Sequence, residues 1–340
     1  MIPAPRGTAL VPGRRRRIGG LTLCGLLTAL GVLGPWITGH RPGDQFGEFV
    51  YAPPSAPHII DADGRLRAPF IYPLVLEDRL ERRYAQDRQH PTPLRWFRRG
   101  ALVSTDEPSQ PWFPLGTDAL GRDQLARLAG GTRLSLGVAL AGALGALLIG
   151  ALAGSVAGLA GRPVDDAVMR AADFVIALPA VYVVLALRAA MPLVLSTSQV
   201  FWTISLVLSA VGWPFAARGV RAVVASEKAR EYAEAARAIG ATRTRLLLRH
   251  LLPATRGFLA VQTTLLVPHF VLAEATLSFV GLGFGEPSPS WGAMLREAGQ
   301  GRALVEAPWL LAPALAIVAA ALAVHLSVGP QPHALRADRL

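Results

Sequence analysis

The sequence predicts an all-α membrane protein of six transmembrane helices, with an outer-loop subdomain between helices 1 and 2. Three observations predict it. Of 340 residues, 52% are hydrophobic and only 17% charged, with 34 Gly and 27 Pro, and the mean hydropathy is +0.38; that balance suits a chain crossing a bilayer several times. The apolar residues gather into runs long enough to cross a ~30 Å hydrocarbon core at about 1.5 Å per helical residue. The formal net charge of +11 collects between those runs, as basic cytoplasmic loops do, which argues against a nucleic-acid partner.

Residues 1–17 carry Arg14–Arg17 and are expected in the cytoplasm, ahead of a first transmembrane helix at 18–37. That run is long for a signal-peptide core, and no A-x-A-like site follows in GPWITGH. Residues 38–115 form the extracytoplasmic subdomain, rich in Pro, Arg and aromatics. Asp63-Gly64 between His58–Asp61 and Leu66–Tyr72 predicts a β-hairpin, and Leu76–Asp87 reads as a short helix. Asp61 and Asp63 begin like a calcium loop, but the later ligand positions are missing, so they are turn residues. The arginines of this segment do not argue against an outer location, because loops beyond about 60 residues hardly count toward orientation.

The core, 116–328, holds five further transmembrane helices. Thr117 or Asp118 can cap a short helix, with Leu120, Leu125 and Leu128 against the outer leaflet. The second transmembrane helix is about Leu134–Gly158, where Gly142, Ala146 and Gly150 have small-xxx-small spacing. A cytoplasmic loop at Leu159–Ala172 leads to a third, about Asp173–Leu193, whose Arg188 snorkels outward. The fourth is about Val200–Ala217, with Pro214 near its inner end. The cytoplasmic loop 218–256 holds nine Arg/Lys against three Glu. The fifth, about Gly257–Gly283, contains Pro268, His269 and Glu274. The sixth is about Trp309–Val328, followed by a basic cytoplasmic tail at 329–340. Even parity puts both termini inside.

Within the inner loop, EKAREYAEAARAIGATRTRLLLRHLLP at Glu227–Pro253 reads as helix, turn, helix. Tyr232, Ala235, Ala236 and Ile239 fall on one small, apolar face. Arg230, Glu234 and Arg237 lie on the other. Glu227 is spaced to pair with Arg230, and Arg230 with Glu234. Gly240 allows a turn through positive φ, Thr242 is placed to cap the second helix, and Pro253 to stop it. Arg245 and Arg249, four apart, repel unless lipid phosphates or an acidic partner meet them.

Glu234-Ala235-Ala236, then Gly240, then Leu252-Pro253 resemble the EAA loop of bacterial ABC-importer permeases, EAA-x3-G-x9-I-x-L-P. His250 stands at the Ile position, as it commonly does in the peptide and nickel branch. LGTDALGRDQLARLAGGTRLSL at Leu115–Leu136 and AEATLSFVGLGFGEPSPSWGAML at the end of the fifth helix resemble the dipeptide, oligopeptide and nickel permeases of that family. The likeness runs almost continuously from Leu115 to Leu340. It implies one half of a translocation pore in the bacterial inner membrane, with a second permease subunit, ATPase subunits inside and a substrate-binding protein outside. Membrane lipid surrounds the chain. The loop's Glu234, Ala235, Ala236, Arg237, Gly240, Arg245, His250, Leu252 and Pro253 would then form the element that docks on the ATPase. Peptide is the expected substrate class, ahead of nickel or another small solute.

No enzymatic role is expected. Lys228 is the only lysine and lacks the Gly-Lys-Ser/Thr setting of a phosphate loop, so ATP hydrolysis falls to a partner. HExxH and GxSxG are absent, the histidines are scattered, and Cys24 stands alone; neither metal nor cofactor is expected. Glu274 is an intramembrane ionisable group, by default a functional candidate. It either lines the translocation path or pairs with a neighbouring helix, and a proton-coupled carrier using Glu274 is the alternative function. His269, beside Pro268, fits a packing role.

Overall fold

The computed structural model of the chain describes residues 12–61, 64–78, 81–98, 100–107, 109–179, 182–183, 186, 195–300 and 303–327. In chain order, α1 (Pro12–Ile37) leads into β1 (His58–Ile60), β2 (Leu66–Ile71), β3 (Leu74–Asp78), β4 (Arg83–Gln86), β5 (Thr92–Arg98) and β6 (Ala101–Thr105). Then follow α2 (Gln124–Leu159), α3 (Arg162–Ala177), α4 (Thr197–Lys228), α5 (Glu231–Ala238), α6 (Arg243–Leu246), α7 (Arg256–Val280), α8 (Trp291–Ala298) and α9 (Ala312–Ser327). Among the described residues, five helices are long and apolar enough to cross a membrane: α1, α2, α4, α7, and α9 with the 3₁₀ turn Pro308–Leu311 before it. Most of the third transmembrane helix predicted at Asp173–Leu193, Arg188 included, lies outside the described residues, as do Asp63 and the tail from 328 onward.

Helix α2 is the centre of the bundle, touching α1, α4 and α7. In lipid no hydrophobic gain separates one apolar face from another, so close backbone approach decides which helices pair. The small residues of α2 supply it. A methyl group added at Gly142 would lie 3.0 Å from Leu208 Cβ, at Gly154 2.9 Å from Val220 Cβ, and at Gly158 2.9 Å from Val224 Cγ1. Ser209 of α4 donates to the Gly142 carbonyl across the contact at 3.1 Å. The predicted small-residue face is therefore the seam with α4, and it runs two turns further than predicted. Phe270 of α7 closes the junction, its ring 2.6 Å from where a Gly212 Cβ would stand.

Helix α1 contains Pro35, which has no N–H for the carbonyl four residues earlier. That carbonyl, on Gly31, accepts instead from Arg133 Nε of α2, while Arg133 Nη2 reaches the Val32 carbonyl at 3.0 Å. An arginine within an apolar helix thus satisfies backbone that lipid cannot. Gly34 lies directly on Ala129 of α2.

Three expectations are corrected. The predicted loop at Leu159–Ala172 is helix α3, entered through Pro163 and amphipathic, with Asp165 paired to Arg221 and Asp173 to Arg218 of α4. Helix α4 continues to Lys228 instead of stopping at Ala217, with Pro214 inside it. In the segment between α1 and α2, the predicted helix at Leu76–Asp87 is the β3–β4 hairpin, with Val75 opposite Ala85 and Leu76 opposite Tyr84. Tertiary contacts overrode helical propensity there. Leu74 packs with Phe49 and the fully buried Phe113, and Tyr84 Oη donates to the Val50 carbonyl at 2.8 Å.

That segment is therefore β rather than α. A four-stranded antiparallel sheet runs β1-β2-β5-β6 beside the β3–β4 hairpin. The β1–β2 turn is as predicted: Asp61 Oδ1 accepts from Arg65 N at 2.9 Å, and Gly64 has φ +76.

Gly154→Val should cost about 1–3 kcal/mol by overpacking the α2–α4 seam, read as a lower unfolding midpoint in detergent. Leu152→Val, on the exposed face of α2, should leave the midpoint within error.

Candidate functional site

The polar stretch after α4 folds as helix, turn, helix. Gly240 has φ +86, its N–H donates to the Arg237 carbonyl at 2.9 Å, and Ala241 N donates to the Ala236 carbonyl at 3.0 Å, so the turn closes as a glycine cap does. Thr242 caps α6 by accepting from Arg245 N at 3.3 Å. Pro253 does not stop the second helix. After α6 the chain widens into a π turn at Leu247–Leu251, then takes Leu252–Ala254 with Pro253 in the first turn, where a missing N–H costs little. From there it runs into α7.

The predicted apolar face divides in two. Helix α5 starts at Glu231, after a break at Ala229–Arg230. Ala233 and Ala236 face inward, packed with Val220 and Val224 of α4 and with Leu246 and Leu251. Tyr232, Ala235 and Ile239 stay exposed, Ile239 at 88%. Glu234, Arg237, Arg245 and Arg249 are exposed as well, whereas His250, Leu252 and Pro253 are half-buried. The His250 ring lies 6.1 Å from that of Tyr232.

Polar contacts fix α5 to the bundle. Glu227 Oε1 pairs with Arg230 at 3.2 Å and Glu227 Oε2 accepts from Tyr232 Oη at 2.7 Å. Arg237 Nη2 donates to the Lys228 carbonyl at 3.1 Å, and Lys228 Nζ to the Leu159 carbonyl at the end of α2 at 2.9 Å. The result is a short helix held rigidly on its inner side and offering Tyr232, Ala235 and Ile239 outward. Small and apolar residues flanked by Glu234 and Arg237 can enter a groove on another protein.

Glu274 is fully buried in α7. Ser278 Oγ donates to its Oε1 at 2.7 Å, and the Ser135 and Ser290 hydroxyls are directed at the same carboxylate. Each serine also accepts a backbone N–H: Ser278 from Phe284 at 3.1 Å, Ser135 from Trp291 at 3.1 Å, Ser290 from Ala293 at 3.2 Å. Through Ser278 and Ser135, α7 and α2 are tied to the segment that leads into α8. His269 rests against the Phe270 ring.

A second buried network was not foreseen from the sequence. Arg122 Nε donates to Asp118 Oδ2 at 2.7 Å, Nη1 to Glu286 Oε2 at 2.5 Å, and Nη2 to Glu297 Oε2 at 3.0 Å. Arg127 holds Glu297 with both terminal nitrogens, at 2.6 and 2.8 Å, and also Asp118. Asp118, Arg122 and Arg127 are all buried. Asp118 does not cap a helix. Asp123 caps α2, accepting from Leu125 N at 2.9 Å, and Thr117 bonds to Ala52 N at 2.8 Å. The signal was present as four charges, Asp118, Arg122, Asp123 and Arg127, in a segment predicted to be a leaflet-facing elbow.

The family described as "Binding-protein-dependent transport system inner membrane component" matches residues 146–329, more than half of the chain and all of the helix–turn–helix. The chain belongs to this family. It is 30% identical over 311 residues to the di/tripeptide transport system permease protein DppC of Pseudomonas aeruginosa, covering 91% of this chain and 84% of that protein. It is 39% identical over 211 residues to the oligopeptide transport system permease protein OppC of Escherichia coli, covering 62% and 67%. The corresponding OppC of Bacillus subtilis is 38% identical over 212 residues, covering 62% and 66%. Family membership removes the ground for a proton-coupled carrier built on Glu274.

Burial pushes the Asp118 carboxyl up, but the Arg127 guanidinium, the Arg122 and Leu120 N–H groups and Arg122 outweigh it and hold the carboxyl below its ordinary value. Its stabilising contribution is thus complete above the unfolded value of about 3.9 and is lost as pH falls through the folded value. Asp118→Asn should cost about 3 kcal/mol or more at pH 7 by leaving buried arginine charge under-paired. The gap from the parent should narrow below about pH 4, as unfolding midpoints measured against pH would show.

Proposed function

We propose that the chain is the permease subunit of an ATP-driven peptide importer, forming half of the translocation pore and coupling to ATPase subunits through α5. The observation that carries the coupling is the exposed Tyr232–Ala235–Ile239 stripe on a helix whose other face is packed into its own bundle. ATPase subunits on the cytoplasmic side would receive this stripe in a groove, with Glu234, Arg237 and Arg245 meeting charged or polar groups at its rim. His250, Leu252 and Pro253 shape the return path into α7 and act through α5. Because α5 rests on Val220 and Val224, and those pack on the glycine face of α2, a displacement of α5 passes to the α2–α4 pair as a rigid body. Peptide as the cargo class is supported by the DppC and OppC relatives. A second permease subunit completes the pore, and a substrate-binding protein delivers cargo from the other side.

The same reading takes 173–193 as the missing sixth transmembrane helix, both termini as cytoplasmic and residues 38–115 as extracytoplasmic. Glu274 is read as a structural anchor and not as a lining of the path, since its Oε1 accepts from Ser278, whose hydroxyl also holds the Phe284 N–H of the α7–α8 connection.

Gly240→Val should detach or uncouple the ATPase while the bundle stays folded, since a side chain at positive φ costs about 1 kcal/mol or more. Glu234→Ala should weaken docking by about 1–3 kcal/mol. Wild-type ATPase co-purification and wild-type uptake in both variants would rule out α5 as the coupling element. Sidedness is checked in a Cys24→Ala background with Gln89→Cys and Thr244→Cys, both at exposed positions: an impermeant thiol reagent in intact cells should label only the former.

A further inference from the structure

The hairpin β5–β6 carries its largest apolar side chains in the open. Within β5, Thr92 and Leu94 are buried, whereas the last residues project past the small core formed with Ile71 and Val103. Trp96 is 58% exposed and Phe97 80%. Both large aromatic side chains of the tip are therefore open to the surroundings. Phe97 also holds φ +55, a conformation that a bulky side chain rarely adopts. Asp106 ties down the flanking cations, accepting from Arg95 Nε at 2.9 Å and Arg98 Nη1 at 2.6 Å.

The position of this tip says what covers it. Arg98 pairs with Ala101 at the start of β6, and Ala101 is buried against the chain just beyond α1, its Cβ 2.9 Å from where a Gly39 Cβ would stand. Helix α1 ends at Ile37. The aromatic tip is therefore level with the end of a membrane-crossing helix, where hydrocarbon gives way to headgroups. The exposed surface is continuous in kind with that of α1, whose last turns leave Val32, Leu33 and Trp36 open, Trp36 at 51%. Tryptophan with arginine is the composition that favours the headgroup layer, where an aromatic body is buried and a polar group stays wet.

The geometry points to an interfacial anchor: Trp96 and Phe97 insert into the lipid headgroup layer beside the end of α1, and Arg95 and Arg98 meet lipid phosphates. The anchor fixes the β segment against the membrane at one edge.

The full-length chain with Cys24→Ala is reconstituted in phosphatidylcholine/phosphatidylglycerol nanodiscs, with a bimane label at Phe97→Cys, at Trp96→Cys, or at Gln89→Cys as a control in the same segment. All three positions are exposed, so labelling does not require unfolding. The labels at 96 and 97 should emit to the blue of the label at 89. Lipids spin-labelled near the headgroup should quench them several-fold more than lipids labelled deep in the chain, and iodide should quench them several-fold less than the control. Equal iodide quenching at 89 and 97, with no response to spin-labelled lipid, would overturn the anchor. So would protection of 96 and 97 that arises only on adding a substrate-binding protein, which would assign the tip to a protein partner.

Discussion

Close approach of two backbones, along the face of α2 from Gly142 to Gly158, is the constraint on which the bundle rests. Lipid offers a helix no reason to leave it, so an attractive contact must come from atoms that meet at van der Waals distance and from hydrogen bonds such as Ser209 to the Gly142 carbonyl. The seam sets where α4 lies, and α4 in turn carries Val220 and Val224, the seat of α5. The glycines thus govern a surface that none of them reaches.

Two polar knots serve the opposite end. Glu274 holds the Ser278 hydroxyl at the end of α7, and the network of Asp118, Arg122 and Arg127 with Glu286 and Glu297 joins the entry to α2 to the segment around α8. Buried ion pairs contribute little net stability compared with well-packed apolar groups, yet losing one partner is costly. Such groups specify which segments meet. Here both knots reach the connection from α7 to α8, which is short of regular structure and is further held by Phe284 and Trp291, both buried in the core.

The helices were legible because their signal is long and redundant: an apolar run of this length has few other folds open to it. The helix–turn–helix was legible too, from Gly240 and Thr242, whose backbone roles are local. Its facing was not, because small residues lie on more than one side of α5, and the contact with Val220 and Val224 of α4 took Ala233 in place of Ala235 to the buried side. The β3–β4 hairpin was hidden by residues of good helical propensity, its strands being selected by Phe49, Val50 and Phe113 far along the chain. The arginine network was hidden for a similar reason, since Glu286 and Glu297 lie more than a hundred residues from Arg122. Sequence periodicity reports on a face, and seldom on what will come to rest against it.

The lone lysine has a practical consequence. Lys228 spends its ammonium on the Leu159 carbonyl, where the last turn of α2 meets the last turn of α4. Acylating reagents react with the free amine, so this side chain must let go of the carbonyl before it is modified. No other lysine occurs in the sequence, so an ester-borne fluorophore has a single side-chain amine to find. The speed of its attachment is a clock for how often the two helix ends part.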